Sequence, residues 1–512
     1  MDLTLFKQSL QIRASFILLQ CMVNHLLPDH ISDAFVAPQP ADGDPTPSPA
    51  PLDSLATALL GGLHRWDAQY FLHIAEHGYT HEATLAFFPG LPLMTAAGAV
   101  PLEATGLLSR PVALLLSAVA LNALLSALAA QALLALSARL LADRRRARTA
   151  ALLFCWSPAT VFLAAPYSES LFACLGFTGM LFCETDRLWG AAAAFGFAAV
   201  TRSNGTLLIG FLVYNLLHKQ VAMMMPKKTK ENVLRPSLVW ITLCGTGRLL
   251  QAAVLSLLAL TAFVVYQLFA FVLFCTPGDV PTAPHVERYL RETEAVRPGA
   301  MTSPWCNYTL PLSYGYIQDH YWDVGFLRYY RLRQLPNFLL AAPTVILILH
   351  GTATYLRRWT LTVLRRPLDG AAVNMRLLPF VLHAAALTCF MVTCAHVQVT
   401  TRVLASSSPV LYWFAADLLH GPETKDGRTG DENSRPEGNT ARSEDSVLAS
   451  RRRLSEPSGD GGGSPATFTS GGQSSLRWLA QPRTRAGTYV QLYFLGYAVL
   501  GTCLFSNGLP WT

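Results

Sequence analysis

The sequence predicts an all-α polytopic membrane protein, and three observations predict it. Only 14 % of the 512 residues are charged, against about 25 % in soluble globular proteins. The mean hydropathy is +0.32. Many apolar runs approach the roughly 20 residues that a helix needs to cross a bilayer. The net charge of +7 does not point to nucleic acid, because Arg and Lys sit in short clusters between apolar runs. Clusters so placed report membrane sidedness.

The N-terminus reads "MDLTLFKQSLQIRASFILLQCMVNHLLP". Lys7 precedes and Arg13 opens an apolar run at about 12–28, and no small-residue cleavage site follows. That pattern predicts an uncleaved signal anchor. Further apolar runs lie at about 111–141, 149–165, 167–184, 188–201, 205–218, 249–275, 336–356, 375–395, 403–420 and 487–506. Basic clusters at 143–148, 218–230, 356–366 and 450–454 alternate consistently with these runs if all four, with Lys7 and Arg13, face the cytosol. The alternation predicts eleven crossings. It requires that 87–105, interrupted by Pro89, Pro92 and Pro101, lies at the interface without crossing.

Residues 421–485 are rich in Gly, Ser, Pro, Arg and Glu, which predicts a disordered cytosolic linker. It separates residues 1–420 from a last helix and lumenal tail at 486–512. Ser455 follows an Arg triplet and suits a kinase site. The scheme places about 29–110 and 276–335 in the lumen. The second loop carries the sequon "NYT" at Asn307, an acceptor for lumenal N-glycosylation. A second sequon at Asn204 sits at a membrane edge, where modification is not expected. Six cysteines (Cys21, Cys155, Cys174, Cys183, Cys389, Cys394) lie in apolar runs and read as inert thiols. No His/Cys cluster has zinc-ligand spacing.

Polar clusters flanked by apolar runs all fall on the predicted lumenal edge. The densest is "GGLHRWDAQYFLHIAEHGY" (61–79), with His64, Arg65, Trp66, Asp67, Tyr70 and Glu76. "APYSES" supplies Tyr167 and Glu169, "TRSNG" supplies Arg202 and Asn204, and "HVQVTTR" supplies His396, Gln398 and Arg402. Trp305, Asp319, Tyr321, Trp322 and Asp323 come from the second loop. Short helices meeting at polar breaks are tolerated where they line a cavity. Arg202 and Arg402 suit bidentate phosphate contact. Trp66, Tyr70, Trp305, Tyr321 and Trp322 offer faces against which sugar rings pack. An apolar tail can lie between helices, so a lipid-linked phosphosugar fits all three features.

Asp67 is the candidate general base, with His64 and Arg65 as candidates to orient it. A phosphate leaving group needs no acid, so paired carboxylates are not required. Plainer roles stand beside these. The arginines also suit interface anchors, Asp67 a helix cap or a partner of Arg65, the aromatics an interfacial belt, and Glu169 the dipole of a helix start. A transporter also gathers polar residues in a cavity, and a non-catalytic subunit of a glycosylation complex is a third class.

"HRWDAQYFLHIAEHGY" resembles the first lumenal-loop motif of the GPI mannosyltransferase 2 family, also called phosphatidylinositol-glycan class V. The similarity continues through "FFPGLPL", "LLFCWSPATVFLAAPYSES", "RSNG", "YIQDHYWDVGFLRYYRLRQLPNFLLAAP", "HVQVTTR", "SSSPVLYWF" and "LPWT". It covers nearly all of the chain outside the linker and the stretch near 280–300. The resemblance implies a GT-C glycosyltransferase fold in the endoplasmic reticulum membrane. It implies addition of the second, α-1,6-linked mannose to a GPI precursor, with inversion, from dolichyl phosphate mannose. The first-loop Asp of such enzymes matches Asp67. The resemblance implies no metal and no cofactor beyond the donor. Partners implied are the lipid-linked donor, the glycolipid acceptor and, by analogy with other GPI enzymes, an accessory subunit.

Overall fold

The computed structural model describes residues 1–30, 34–40, 49–141, 143–224, 227–228, 233–234, 238–365, 374–421 and 484–509. The expectations for the linker, Ser455 among them, and for the last three residues lie outside the described residues. Met1–Gly421 and Pro482–Thr512 form one compact unit. The described chain is almost wholly helical, with one antiparallel pair of two-residue strands, Lys227–Lys228 and Val233–Leu234.

The α-helices run in order α1 (Leu3–Leu26), α2 (Asp53–Leu60), α3 (Asp67–His77), α4 (Gly90–Glu103), α5 (Arg110–Leu140) and α6 (Arg144–Cys155). Then come α7 (Glu169–Glu184), α8 (Leu188–Ala199), α9 (Ile209–Met224), α10 (Leu238–Cys275), α11 (Pro284–Glu292) and α12 (Ser313–Trp322). The last are α13 (Leu335–Arg365), α14 (Leu378–Cys394), α15 (Thr400–Ser407), α16 (Pro409–His420) and α17 (Arg485–Ser506). Helix α5 shows why the long ones form. Proline sits in its first turn and nowhere else in it, and Ala and Leu make up most of the rest. Asp143 caps α6 by accepting the backbone N–H groups of Arg145 and Arg146 at 2.7 and 3.3 Å.

Among the described residues, five helices are long and apolar enough to cross a membrane: Arg110–Leu140, Gly245–Cys275, Leu332–Leu361, Met375–Cys394 and Arg485–Ser506. The expected eleven exceeds this number. The physical reason is that several apolar runs are broken into short helices by turns at polar residues, as at Thr160–Leu163, Ser203–Leu208 and Val397–Val399. Helix α4 has 14 residues, about 21 Å of rise, less than the roughly 30 Å of hydrocarbon.

Arg13 departs from expectation. It does not sit ahead of the first span but is fully buried on α1. Its guanidinium donates to the Thr160 carbonyl at 3.0 Å, to the Thr160 hydroxyl and to the Cys155 carbonyl. It satisfies carbonyls freed where α6 ends. Cys389, one of the six expected buried thiols, is exposed.

Two features close the second polar loop. Cys275 and Cys306 form a disulfide with Cα atoms 5.5 Å apart, within the usual range. Glu82, 1 % exposed, gathers three donors from that loop: the Ser303 hydroxyl, the Trp305 indole N–H at 2.6 Å and the Tyr321 hydroxyl at 2.9 Å. Its backbone N–H donates to the Val296 carbonyl at 3.0 Å. Glu82→Ala strands these donors in an apolar surround. A buried unpaired donor costs about 1–3 kcal/mol, so thermal unfolding in detergent is expected at a clearly lower temperature. An unchanged midpoint would remove Glu82 from this role.

Candidate active site

Helix α3 begins at Asp67, and the residue before it is strained. Trp66 has φ 54° and ψ −126°, a region that costs a non-glycine residue about 1–3 kcal/mol. One phenol holds both flanks of that residue. The Asp67 N–H donates to Tyr167 Oη at 3.1 Å, and the Tyr167 hydroxyl donates to the Arg65 carbonyl at 3.4 Å. Tyr167 is 1 % exposed. Its own carbonyl accepts from Asn122 Nδ2 of α5 at 2.9 Å. The phenol therefore accepts from one flank and donates to the other.

This placement brings Asp67 into a row of four charges. Arg402 Nη2 on α15 lies 2.8 Å from Asp67 Oδ2, and its Nε lies 3.8 Å from Glu169 Oε1. Arg202, just after α8, lies 2.5 Å from the same Glu169 oxygen and donates to Ser168 Oγ at 3.2 Å. Glu169 opens α7, where a carboxylate suits the helix dipole. It is 1 % exposed, and its Oε2 has no partner among the described residues. The Arg402 guanidinium sits 5.3 Å over the Phe162 ring and 5.4 Å over the Tyr167 ring. Burial would loosen its proton, but Asp67 and then Glu169 reverse that and bind it more firmly. Two guanidiniums thus balance two carboxylates. Among the described residues only Oδ2 of Asp67 is engaged, and the side chain is 32 % exposed.

Several expected site residues take other places. Arg65 turns away from Asp67. Its guanidinium lies 2.6 Å from Asp29 and donates to Asn24 Oδ1 at 3.2 Å and to the Ser506 carbonyl at 3.3 Å. The expectation that Arg65 orients Asp67 is therefore corrected: Arg402 does so. His64 is largely buried, its Nε2 has no partner among the described residues, and burial followed by the Arg65 charge pushes it down to about 4. Tyr70 offers no free face, because it is stacked on Phe35 at 4.2 Å and on Phe87 at 4.3 Å. Trp305 is fully buried and holds Glu82, so its expected role as a sugar platform is corrected as well. Glu76 lies at the far end of α3, about 13 Å along the axis from Asp67. Burial pushes its carboxyl up, with Arg110 opposing and Glu103 adding.

Asn204 is brought close to α15, donating from Nδ2 to Ser407 Oγ at 3.0 Å. Asn307 is exposed at the end of a short 3₁₀ turn. Trp322, Asp323 and His396 line a separate cavity, and Asp319 and Gln398 flank it through Arg328 and Tyr329. There Arg328 pairs with Asp319, Arg331 lies 2.6 Å from Asp323, and His396 stacks on Tyr329 at 4.8 Å. Trp322 links the two groups, its ring 6.2 Å from that of Tyr70.

Glu82, Phe35 and Phe87 were not singled out from sequence. The one signal for Glu82 is an acid inside the otherwise uncharged stretch "HEATLAFF".

A histidine cluster adjoins the site. His73 Nε2 is 2.7 Å from Thr80 Oγ1, and the His73 ring is 5.1 Å from His77 and 5.9 Å from His81, while His77 is 5.2 Å from His285. Burial holds His73 down to about 3, with His81, His77 and His285 adding, and holds His77 and His81 down to about 4. The ordinary value is 6.5. Folded pKa values below the unfolded ones mean that stability is intact above that value. It is lost as pH falls toward 4, because the unfolded chain binds the protons first. Thermal midpoints are expected to drop across this window, less steeply in His81→Gln. Equal slopes would acquit the histidine.

The sequence profile described as Mannosyltransferase (PIG-V) matches residues 2–512. The chain is 40 % identical to "GPI alpha-1,6-mannosyltransferase 2" of Cricetulus griseus, over 97 % of this chain and 96 % of that protein. It is 39 % identical to the Homo sapiens protein of the same name, with the same coverage. It is 36 % identical to "GPI mannosyltransferase 2" of Drosophila pseudoobscura pseudoobscura, over 99 % of each chain. No solved structure matches. With a match running from the second residue to the last, the chain belongs to the PIG-V mannosyltransferase family.

Proposed function

We propose that the protein adds the second, α-1,6-linked mannose to a GPI precursor, from dolichyl phosphate mannose, with Asp67 as general base. The observation that carries this reading is the carboxylate itself. Its Oδ2 is pinned by Arg402, its backbone is pinned by Tyr167, and its Oδ1 is left to meet a substrate. In the step, Oδ1 takes the acceptor hydroxyl proton as that oxygen bonds to the anomeric carbon. The C–O bond to phosphate breaks and its electron pair leaves with dolichyl phosphate. Attack from the face opposite the phosphate inverts a β-linked donor to an α product. The phosphate departs as an anion and takes no proton.

We place this chemistry on the lumenal side of the endoplasmic reticulum, in a GT-C arrangement of eleven crossings. Support comes from the Cys275–Cys306 disulfide, since such bonds persist in oxidising compartments. The exposed sequon at Asn307, next to that disulfide, agrees with it. Protease added to sealed microsomes is expected to cut 421–485, and glycan is expected on Asn307. Asn204, whose amide already donates to Ser407, should carry none. Full protection of the linker would reverse the sidedness, and glycan on Asn204 but not on Asn307 would count against the lumenal placement of 276–335. The functional test is mannose transfer by purified full-length protein supplied with donor and a one-mannose GPI acceptor. Lipid flux without formation of a glycosidic bond would make the protein a transporter.

A further inference from the structure

We infer that the cavity between Trp322 and His396 seats the lipid phosphodiester of the acceptor glycolipid, remote from the reacting centre. This rests on the functional reading above and names a part of its substrate.

Charge distinguishes this cavity from the row at Asp67. The cavity holds about 150 Å³ and is lined by Trp322, Arg328, Arg331, Arg333 and His396, with Asp323 at its wall. Arg328 is neutralised by Asp319, and Arg331 by Asp323. Arg333 lines the same space with no carboxylate partner among the described residues. Three guanidiniums against two carboxylates leave a net positive seat. The row Asp67–Arg402–Glu169–Arg202 is already neutral. The cavity therefore carries an unbalanced cation that the row does not. Arginine forks match the paired oxygens of a phosphodiester.

The seat is also firm and lies beside apolar surface. The Tyr329 hydroxyl reaches Gln334 Oε1 at 2.8 Å and Gln398 Oε1 at 3.0 Å, with one proton to share between them. Asn337 Nδ2 donates to that hydroxyl at 2.8 Å. The membrane-length segment Leu332–Leu361 starts here. Around its start Phe326 is 72 % exposed, Leu332 93 % and Leu339 66 %. Arginines beside bare apolar side chains at the end of such a helix suit a lipid headgroup whose chains enter the bilayer.

Distance selects the lipid. In a polyprenyl phosphosugar the phosphate is bonded to the reacting carbon, so it must sit beside Asp67. His396 is six residues before Arg402, along a 3₁₀ turn and a helical turn that rise about 10 Å. In a phosphatidylinositol glycolipid the phosphodiester lies beyond the inositol from the sugar that is extended. One acceptor molecule can thus reach both places.

The test uses purified full-length Arg333→Glu and Arg333→Ala. Arg333 is exposed, so thermal midpoints should match wild type. The acceptor KM is expected to rise about ten- to a hundredfold, with donor KM and kcat unchanged. In parallel, wild type and Arg333→Glu are titrated with short-chain phosphatidylinositol, short-chain polyprenyl phosphate and inorganic phosphate. Only phosphatidylinositol should bind more weakly to the variant. A rise in donor KM, or weaker polyprenyl phosphate binding, would give the seat to the donor and overturn the inference. Equal weakening of all three ligands would reduce it to a basic surface, and unchanged affinities would abolish it. Absence of mannose transfer by wild type would sink the functional reading instead, and the phosphatidylinositol titration would still decide the seat.

Discussion

Asp67→Asn is expected to lower turnover by about 10²–10⁴ at saturating donor and acceptor. The amide keeps the size of the side chain and still offers Arg402 an oxygen, but it cannot take a proton. Folding should suffer far less than turnover, because the backbone clamp runs through Tyr167 and the amide oxygen still accepts from Arg402, although Arg402 loses a charge partner. Asp67→Glu should also fail by roughly 10², since a shift of about an ångström suffices for that loss. It would break the 2.8 Å contact that sets the carboxylate. Turnover by the purified variants, with a thermal midpoint for each, is the measurement. Near-normal turnover in Asp67→Asn would remove the base from this position. Glu169 could not take over where it stands, because it is 1 % exposed.

Arg402→Ala is expected to damage both folding and turnover. It leaves Glu169 buried with Arg202 as its remaining cation. Breaking a buried ion pair by removing one partner costs about 3–5 kcal/mol. It also frees the Asp67 carboxylate from its one guanidinium contact. Arg402→Lys should recover part of both properties, since a point charge cannot serve two carboxylates with the same planar fork. A second substitution separates the two effects. Asp67→Asn on top of Arg402→Ala removes the carboxylate that has lost its guanidinium, so it should restore stability and not turnover. If stability does not recover, Asp67 is not the origin of the cost.

The helical membrane architecture was legible because apolar composition and length report it directly. The motifs that hold Asp67, Glu169, Arg202 and Arg402 were legible as polar breaks between apolar runs. Their pairing was not, because nothing along the chain links Asp67 to Arg402 across more than 300 residues. The short helices inside apolar runs were missed for a different reason. Hydropathy registers the apolar side chains of "WSPATVFLAAPY" but not the turn that its prolines and Ser157 impose. Arg13 was misplaced because a cation ahead of an apolar run normally marks the aqueous side, and here free backbone carbonyls receive it. Trp66 gave no signal at all, since a positive φ on a tryptophan has no sequence mark.

Glu82 also has a consequence for how the chain is made. Its Trp305 partner lies 223 residues further on. While the ribosome works through that interval, the carboxylate has already been delivered and none of its three side-chain donors exists. The first polar loop therefore cannot reach its final form during synthesis of the helices between, and it waits with its acid hydrated. Cys275 waits in the same way for Cys306, but over 31 residues. The disulfide is thus poised to form first and to carry Ser303 and Trp305 toward Glu82, since a short loop closes at lower entropic cost than a long one. A nascent chain arrested before residue 303 should remain protease-sensitive in its first loop, and the full-length chain should not.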